Sequence, residues 1–347
     1  MSAAAAGADE AGDRVTLRFA AAVTAAFVLS EYMQWAPTFM GAVLAAALLA
    51  KLPMRPPLKV GIALVLTMAA AALYAYALSA LLRGTPTVLC GAIGLSMFLA
   101  FHSMLSGRNP LPAVLLLICL VTIPVVVMLA PAQASVFPRA LIGGMALAIL
   151  MVWGAFAIWP AVPAPGAAKA APATPDPDRA LVLALLSTAV VLPLMLVHLL
   201  FGLADALTVL VATVTLVINF DPSRSAKHSV ALIVANFAGG MLGVLLHTVL
   251  ITTPSLPFLA LLLFLVLLGF GRRIAAGGPA AAVVAVACNA MLIILSSAIA
   301  SGTDSFSAWF TRLFQLALAG VFAVSVMKLL WHRAALRRTA RHESATA

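Results

Sequence analysis

Residues 51–82 read KLPMRPPLKVGIALVLTMAAAALYAYALSALL. A short basic loop, Lys51-Leu-Pro-Met-Arg55-Pro-Pro-Leu-Lys59, runs into an unbroken apolar stretch that carries no further charge until Arg83. Such a stretch, wound as a helix at 1.5 Å per residue, reaches across the roughly 30 Å hydrocarbon core of a bilayer. The same alternation of basic loop and apolar span recurs along the chain. Of 347 residues, 64% are hydrophobic and 9% charged, against roughly 25% charged in soluble domains. With a mean hydropathy of +1.16, the solvent for most of this surface is lipid.

The apolar spans expected are 15–33, 37–50, 59–82, 85–104, 110–130, 134–160, 178–201, 204–220, 226–249, 253–270, 276–300 and 305–331, the second being the shortest. The Pro- and Ala-rich run 161–177, AVPAPGAAKAAPATPDP, separates the sixth from the seventh and reads as a flexible tether. If the N-terminus is cytoplasmic, only Arg83, Arg139 and Arg312 among the 20 Lys and Arg residues fall on the outer side. That asymmetry obeys the positive-inside rule. It also accounts for the net charge of +10 without nucleic acid. Trp35 and Trp309 fall at outer boundaries, Trp159 and Trp331 at inner ones, as an interfacial aromatic belt does. Residues 1–13 lack the basic start of a secretory leader, so the first span is expected to act as an uncleaved insertion signal. Cys90, Cys119 and Cys288 sit in apolar spans without metal spacing and read as small hydrophobes.

The second half echoes the first. Asp13-Arg14 corresponds to Asp178-Arg179, Pro53-Met54-Arg55 to Pro222-Ser223-Arg224, and Lys59 to Lys227. Arg108 corresponds to Arg272 and Arg273, and Phe137-Pro-Arg139 to Phe310-Thr-Arg312. Each pair is separated by roughly 170 residues, in one shared order, the mark of a duplication. The fold class expected is therefore all-α: a polytopic membrane protein of about 12 transmembrane helices as two parallel six-helix repeats, with N and C termini cytoplasmic. Residues 1–160 form the first repeat, 161–177 the linker, 178–333 the second repeat and 334–347 a basic tail. Parallel repeats are a transporter architecture with the pathway at the repeat interface; a duplicated scaffold without a pathway is the alternative.

Ionisable groups within membrane spans are costly and mark pathways or partners. Arg139 and Arg312 break the positive-inside pattern at equivalent positions. They are candidate substrate-binding groups, able to grip a carboxylate bidentately, or else they snorkel to headgroups. Asn236 and Asn289, close to mid-span, either bond across helices or line a polar cavity. Arg18, one turn into the first span, is a coupling or gating candidate, with snorkelling as the alternative. Glu31, at the far end of the same span, is a proton relay, a partner for Arg139 or a solvated end charge. His198 and His247 near outer span ends are coupling or gating candidates, since an unperturbed His titrates near neutral pH; like His102 near an inner end, they are otherwise structural. Ala235, Gly239 and Gly243 form a small-residue stripe suited to close helix packing. Pro124 and Pro193 interrupt two spans, and Asp221 has Arg224 and Lys227 nearby. No metal-ligand constellation, phosphate-binding loop or catalytic motif is present. Neither an enzyme nor a cofactor is therefore expected.

The run Leu17-Arg18 through Ser30-Glu31 leads into Trp35-Ala-Pro37, then Gly41-Ala-Val, the Lys51–Arg55 loop and Lys59-Val-Gly61. This resembles the fusaric-acid-resistance and aromatic-acid-exporter family, whose unit is six helices. There an Arg near the start of the first helix precedes a Trp near its outer end. An Arg near the start of the sixth helix is matched by Arg139 and Arg312. The resemblance implies a bacterial inner-membrane, proton-linked exporter of aromatic or other organic acids, working with a periplasmic membrane-fusion adaptor; homo-oligomerisation is left open. Two features depart from the family: the large cytoplasmic domains are replaced by the short linker and tail, and its Gly-Arg pair is Lys59-Val60-Gly61. A passive organic-anion channel and a non-transporting scaffold are the other classes. A major-facilitator-type transporter is a further alternative, although its loop 2–3 signature is absent from residues 51–59.

Overall fold

The apolar spans fold as helices in a computed structural model, which describes residues 3–35, 37–52, 54–161, 177–202 and 226–301, with scattered positions in 210–218 and 314–329. The helices are α1 (Ala3–Tyr32), α2 (Phe39–Lys51), α3 (Leu58–Leu81), α4 (Pro86–Leu105), α5 (Pro110–Leu129), α6 (Val136–Ile158), α7 (Pro177–Leu200), α8 (Ala226–Thr252), α9 (Leu256–Ala275) and α10 (Gly278–Ser301). A 3-10 turn, Pro131–Gln133, precedes α6. Among the described residues there is no strand. Nine helices among the described residues are long and apolar enough to cross a membrane, α2 being the short one. The chain is a multi-pass membrane protein. Most of the spans expected at 204–220 and 305–331, with Arg312, Asp221, Arg224, Trp309, Trp331, the linker after residue 161 and the basic tail, lie outside the described residues.

Local chemistry sets the helix ends. Pro86 opens α4 and Pro110 opens α5, where a missing N–H costs nothing. Asn109 caps α5 by accepting from the Leu111 N–H at 3.2 Å, and Ser255 caps α9 by accepting from Phe258 at 3.4 Å. The last turn of α9 carries Arg272 and Arg273, which complement the negative end of the helix dipole. That charge placement carries α9 beyond the apolar boundary expected at 270. At the other extreme, α1 begins well before its apolar span, because the Ala-rich residues ahead of it favour helix irrespective of hydropathy.

Packing divides the chain into two compact units. The first comprises Met1–Ala70, Ser135–Lys169 and Val234–Phe314. In it, α1 packs on α2, α6 and α9, and α2 packs on α6 and α10. The second comprises Ala71–Ala134, Ala170–Ile233 and Gln315–Ala347. In it, α4 packs on α5 and α7, with the Tyr74 hydroxyl 2.7 Å from Ser96 Oγ. The interior of α5 is almost wholly buried around Pro124. Each unit thus draws on both halves of the sequence. α1, which opens the first half, packs on α9 of the second; α7, which opens the second, packs on α4 of the first. Outward faces of α3, α4 and α9 present Leu66, Leu73, Leu95, Leu99, Leu261 and Leu265, an apolar exposure suited to lipid.

Two close approaches depend on glycine. A Cβ at Gly239 or Gly243 of α8 would run into the α10 carbonyl oxygen of Ala287 or Met291 respectively. In α9, a Cβ at Gly271 would stand 3.0 Å from the Thr16 carbonyl of α1. Small residues that bring backbones together are the main device for helix association in lipid.

Candidate functional site

Two charged side chains of α1 are buried within the first unit. Arg18 is 6% exposed and Glu31 8%. They stand thirteen residues apart on one helix, about 20 Å along its axis.

Phe156 of α6 lies under the Arg18 guanidinium, with Cζ 4.4 Å from the ring centroid. The contact is a cation–π interaction, worth about 0.5–2 kcal/mol depending on desolvation. Arg18 Nε donates to the Arg14 carbonyl at 3.3 Å, whereas the buried Nη1 has no hydrogen-bond partner among the described residues. The side chain forms part of the wall of a cavity of about 330 Å³, with Lys51 at the end of α2, Phe156, and aliphatic groups including Leu49 and Ile274. Among the described residues, no carboxylate lines it. Phe156 of α6 covers one face of the head group, and Ile274 of α9 stands on the same cavity wall.

Glu31 sits at the C-terminal end of α1, at a helix terminator. Gln34 takes a left-handed conformation (φ 54°), and the Trp35 N–H donates to the Ser30 carbonyl at 3.0 Å. The Gln34 N–H and Nε2 both donate to the Glu31 carbonyl, at 3.1 and 2.8 Å. This is a Schellman motif with Gln in place of the usual glycine. It fixes the Glu31 backbone while the following loop brings Thr38 back to its side chain. Thr38 Oγ1 donates to Glu31 Oε1 at 2.6 Å and lies 2.6 Å from Ser296 Oγ of α10. A hydroxyl has one proton, so with Thr38 donating to Glu31, Ser296 donates to Thr38. The result is a hydrogen-bonded line from α10 to a buried carboxyl. Glu31 also lines a cavity of about 310 Å³ with Gln34, Pro254, Ser255, Leu259 and Ile299.

Other sequence candidates fall elsewhere. Arg139 is exposed on α6 and folds back on its own first turn, with Nε donating to the Ser135 carbonyl at 3.0 Å. It does not meet Glu31, and Arg312 lies outside the described residues. Asn236 on α8 is buried and Asn289 on α10 half-buried. His198 is buried with Nδ1 2.9 Å from the Leu194 carbonyl of its own helix. His247 is buried on α8, and His102 stacks on Phe98 with ring centroids 5.9 Å apart. Among the described residues, no group of His, Cys, Asp or Glu is arranged to hold a metal. Sequence reading missed Phe156, Lys51, Thr38 and Ser296 as parts of these two sites. The only available signal was that each is an aromatic, cationic or hydroxyl group at the end of an apolar span.

These features define a multi-pass membrane protein with a buried ionisable side chain toward each end of one membrane span, Gly12–Tyr32. A family model described as a protein of unknown function (DUF2955) matches residues 15–154, from the first turns of the α1 span to near the end of α6. The chain is similar to that family over this stretch. No curated protein and no solved structure matches the chain.

Proposed function

We propose that the chain is a bacterial inner-membrane exporter of aromatic or other organic acids, a duplicated six-helix transporter with both termini in the cytoplasm. The observation that carries this reading is the burial of Arg18 and Glu31 on one membrane helix, each beside a cavity. A buried charge in a membrane protein is expensive, and it persists where it serves a pathway. Both cavities are lined by residues from both halves of the sequence, where a parallel-repeat transporter keeps its pathway. The reciprocal packing of α1 on α9 and α7 on α4 supports the duplication. So does a family match that begins and ends with one six-helix stretch.

In this reading the basic loops put the Arg18 end in the cytoplasm and the Glu31 end at the periplasm. Arg18 receives the substrate anion. Glu31, with Thr38 and Ser296, carries the coupling proton. Arg139 and Arg312 attract anions at the periplasmic side, and a membrane-fusion adaptor takes the product onward.

A strain lacking the gene should lose resistance to a subset of aromatic acids, and the native gene should restore it. Restoration by a Glu31→Gln gene as complete as by the native one would remove Glu31 from coupling. Unchanged resistance of the deletion strain to every acid tested would count against export.

A further inference from the structure

We infer that the cavity beside Glu31 is a binding site for a compact organic cation, an ammonium group carried on an apolar body the size of a single ring. The inference goes beyond the exporter reading, which gives Glu31 a proton and Arg18 the anion, and does not rest on it. Glu31 is more than nine-tenths buried and lines a cavity of about 310 Å³. Thr38 holds its Oε1 at 2.6 Å. Among the described residues, Oε2 has no hydrogen-bond partner and the carboxyl has no cationic one. A buried carboxylate with a hydroxyl donor but no counter-charge is costly. A ligand that brings the missing positive charge relieves that cost.

The walls fit the same chemistry. Leu250, Pro254, Leu256, Leu259 and Ile299 give an apolar lining. No Lys or Arg stands on it among the described residues, so nothing there competes for the carboxylate or favours an anion. Tyr32 adds an aromatic ring, whose quadrupole attracts cations. Gln34 donates Nε2 to the Glu31 carbonyl at 2.8 Å, which leaves its Oε1 as an acceptor for an ammonium N–H. The carboxyl is fixed before a ligand arrives, by the helix terminator at Gln34 (φ 54°) and by the Ser296–Thr38 contact of 2.6 Å, and such preorganisation lowers the cost of binding. The volume lies at the small end of ligand pockets and suits a single ring. An ammonium of this kind belongs either to a free amine or to a phosphatidylethanolamine headgroup. The headgroup brings a phosphate, for which the wall offers no cation, so the free amine is the better fit.

Equilibrium dialysis of the purified full chain in a neutral detergent, with radiolabelled benzylammonium as the probe, tests this. The result expected is saturable binding of one cation per chain, not displaced by benzyl alcohol, which keeps the ring and loses the charge. Glu31→Gln keeps the shape of the side chain and should weaken binding about tenfold or more, because the charge-assisted hydrogen bond is lost. Should Glu31→Gln fail to fold, a Pro254→Cys chain keeps Glu31 and places a thiol on the exposed part of the wall. Benzylammonium should slow its reaction with N-ethylmaleimide severalfold, and benzyl alcohol should not. Equal binding of benzylammonium and benzyl alcohol, undiminished binding by a folded Glu31→Gln chain, or a Pro254→Cys thiol left unprotected would overturn the inference. So would stoichiometric displacement by phosphatidylethanolamine, which would assign the cavity to a lipid headgroup. Binding needs no gradient. A chain that binds benzylammonium yet exports no acid would overturn the exporter reading alone, and one that exports acids yet binds no benzylammonium would overturn this inference alone.

Discussion

Glu31 and Thr38 show how much of a buried charge depends on one hydroxyl. A hydrogen bond to a charged group contributes about 1.5–3 kcal/mol. Thr38→Val should therefore destabilise the protein by about that much, read as a lower melting temperature in detergent. In a Glu31→Gln background the same change should cost less, because the charge is gone; the difference is the coupling between the two side chains. The sequence displayed Arg18 and Glu31 because a charge in an apolar span is visible by itself. It could not display their partners. Phe156 and Ser296 reach α1 only through tertiary packing, the latter from 258 residues beyond Thr38. The ring of Phe156 beneath Arg18 comes from α6, 138 residues further along the chain.

At the scale of elements, the backbone contact of α8 with α10 is the most sensitive to side-chain volume. Gly239→Ala places a methyl group against the Ala287 carbonyl, and overpacking of this kind costs about 1–3 kcal/mol. Gly269→Ala in α9 meets nothing within 4 Å and should be neutral or stabilising by up to about 1 kcal/mol, as expected for Gly→Ala in an open helix. Thermal denaturation followed by size-exclusion chromatography separates the two. The spans themselves were legible, since length and hydropathy are properties of the chain alone. The stretch 59–82 folds as Leu58–Leu81 and 110–130 as Pro110–Leu129. Ends departed where something other than hydropathy governs them: alanine propensity at the start of α1, the Ser255 cap at the start of α9 and the arginines in its last turn.

At the scale of the molecule, compact units do not follow the linear halves. Each joins the opening helix of one half to a later helix of the other, a pairing no linear pattern of hydropathy encodes. The orientation assigned from the basic loops predicts opposite labelling of two exposed positions. A cysteine replacing Thr253 should react with a membrane-impermeant maleimide added outside intact cells, whereas one replacing Arg108 should react only after the membrane is opened. Reaction of both from one side would remove the topology. The central claim, uphill export of organic anions, is tested most directly by labelled benzoate uptake into inside-out vesicles holding the native chain. The account predicts accumulation above the external concentration when the lumen is made acid, so that protons flow outward, abolished by collapse of that gradient and strongly reduced by Arg18→Gln. Equilibration to the external concentration alone would make the protein a passive channel, and uptake no faster than in vesicles without the protein would contradict transport altogether.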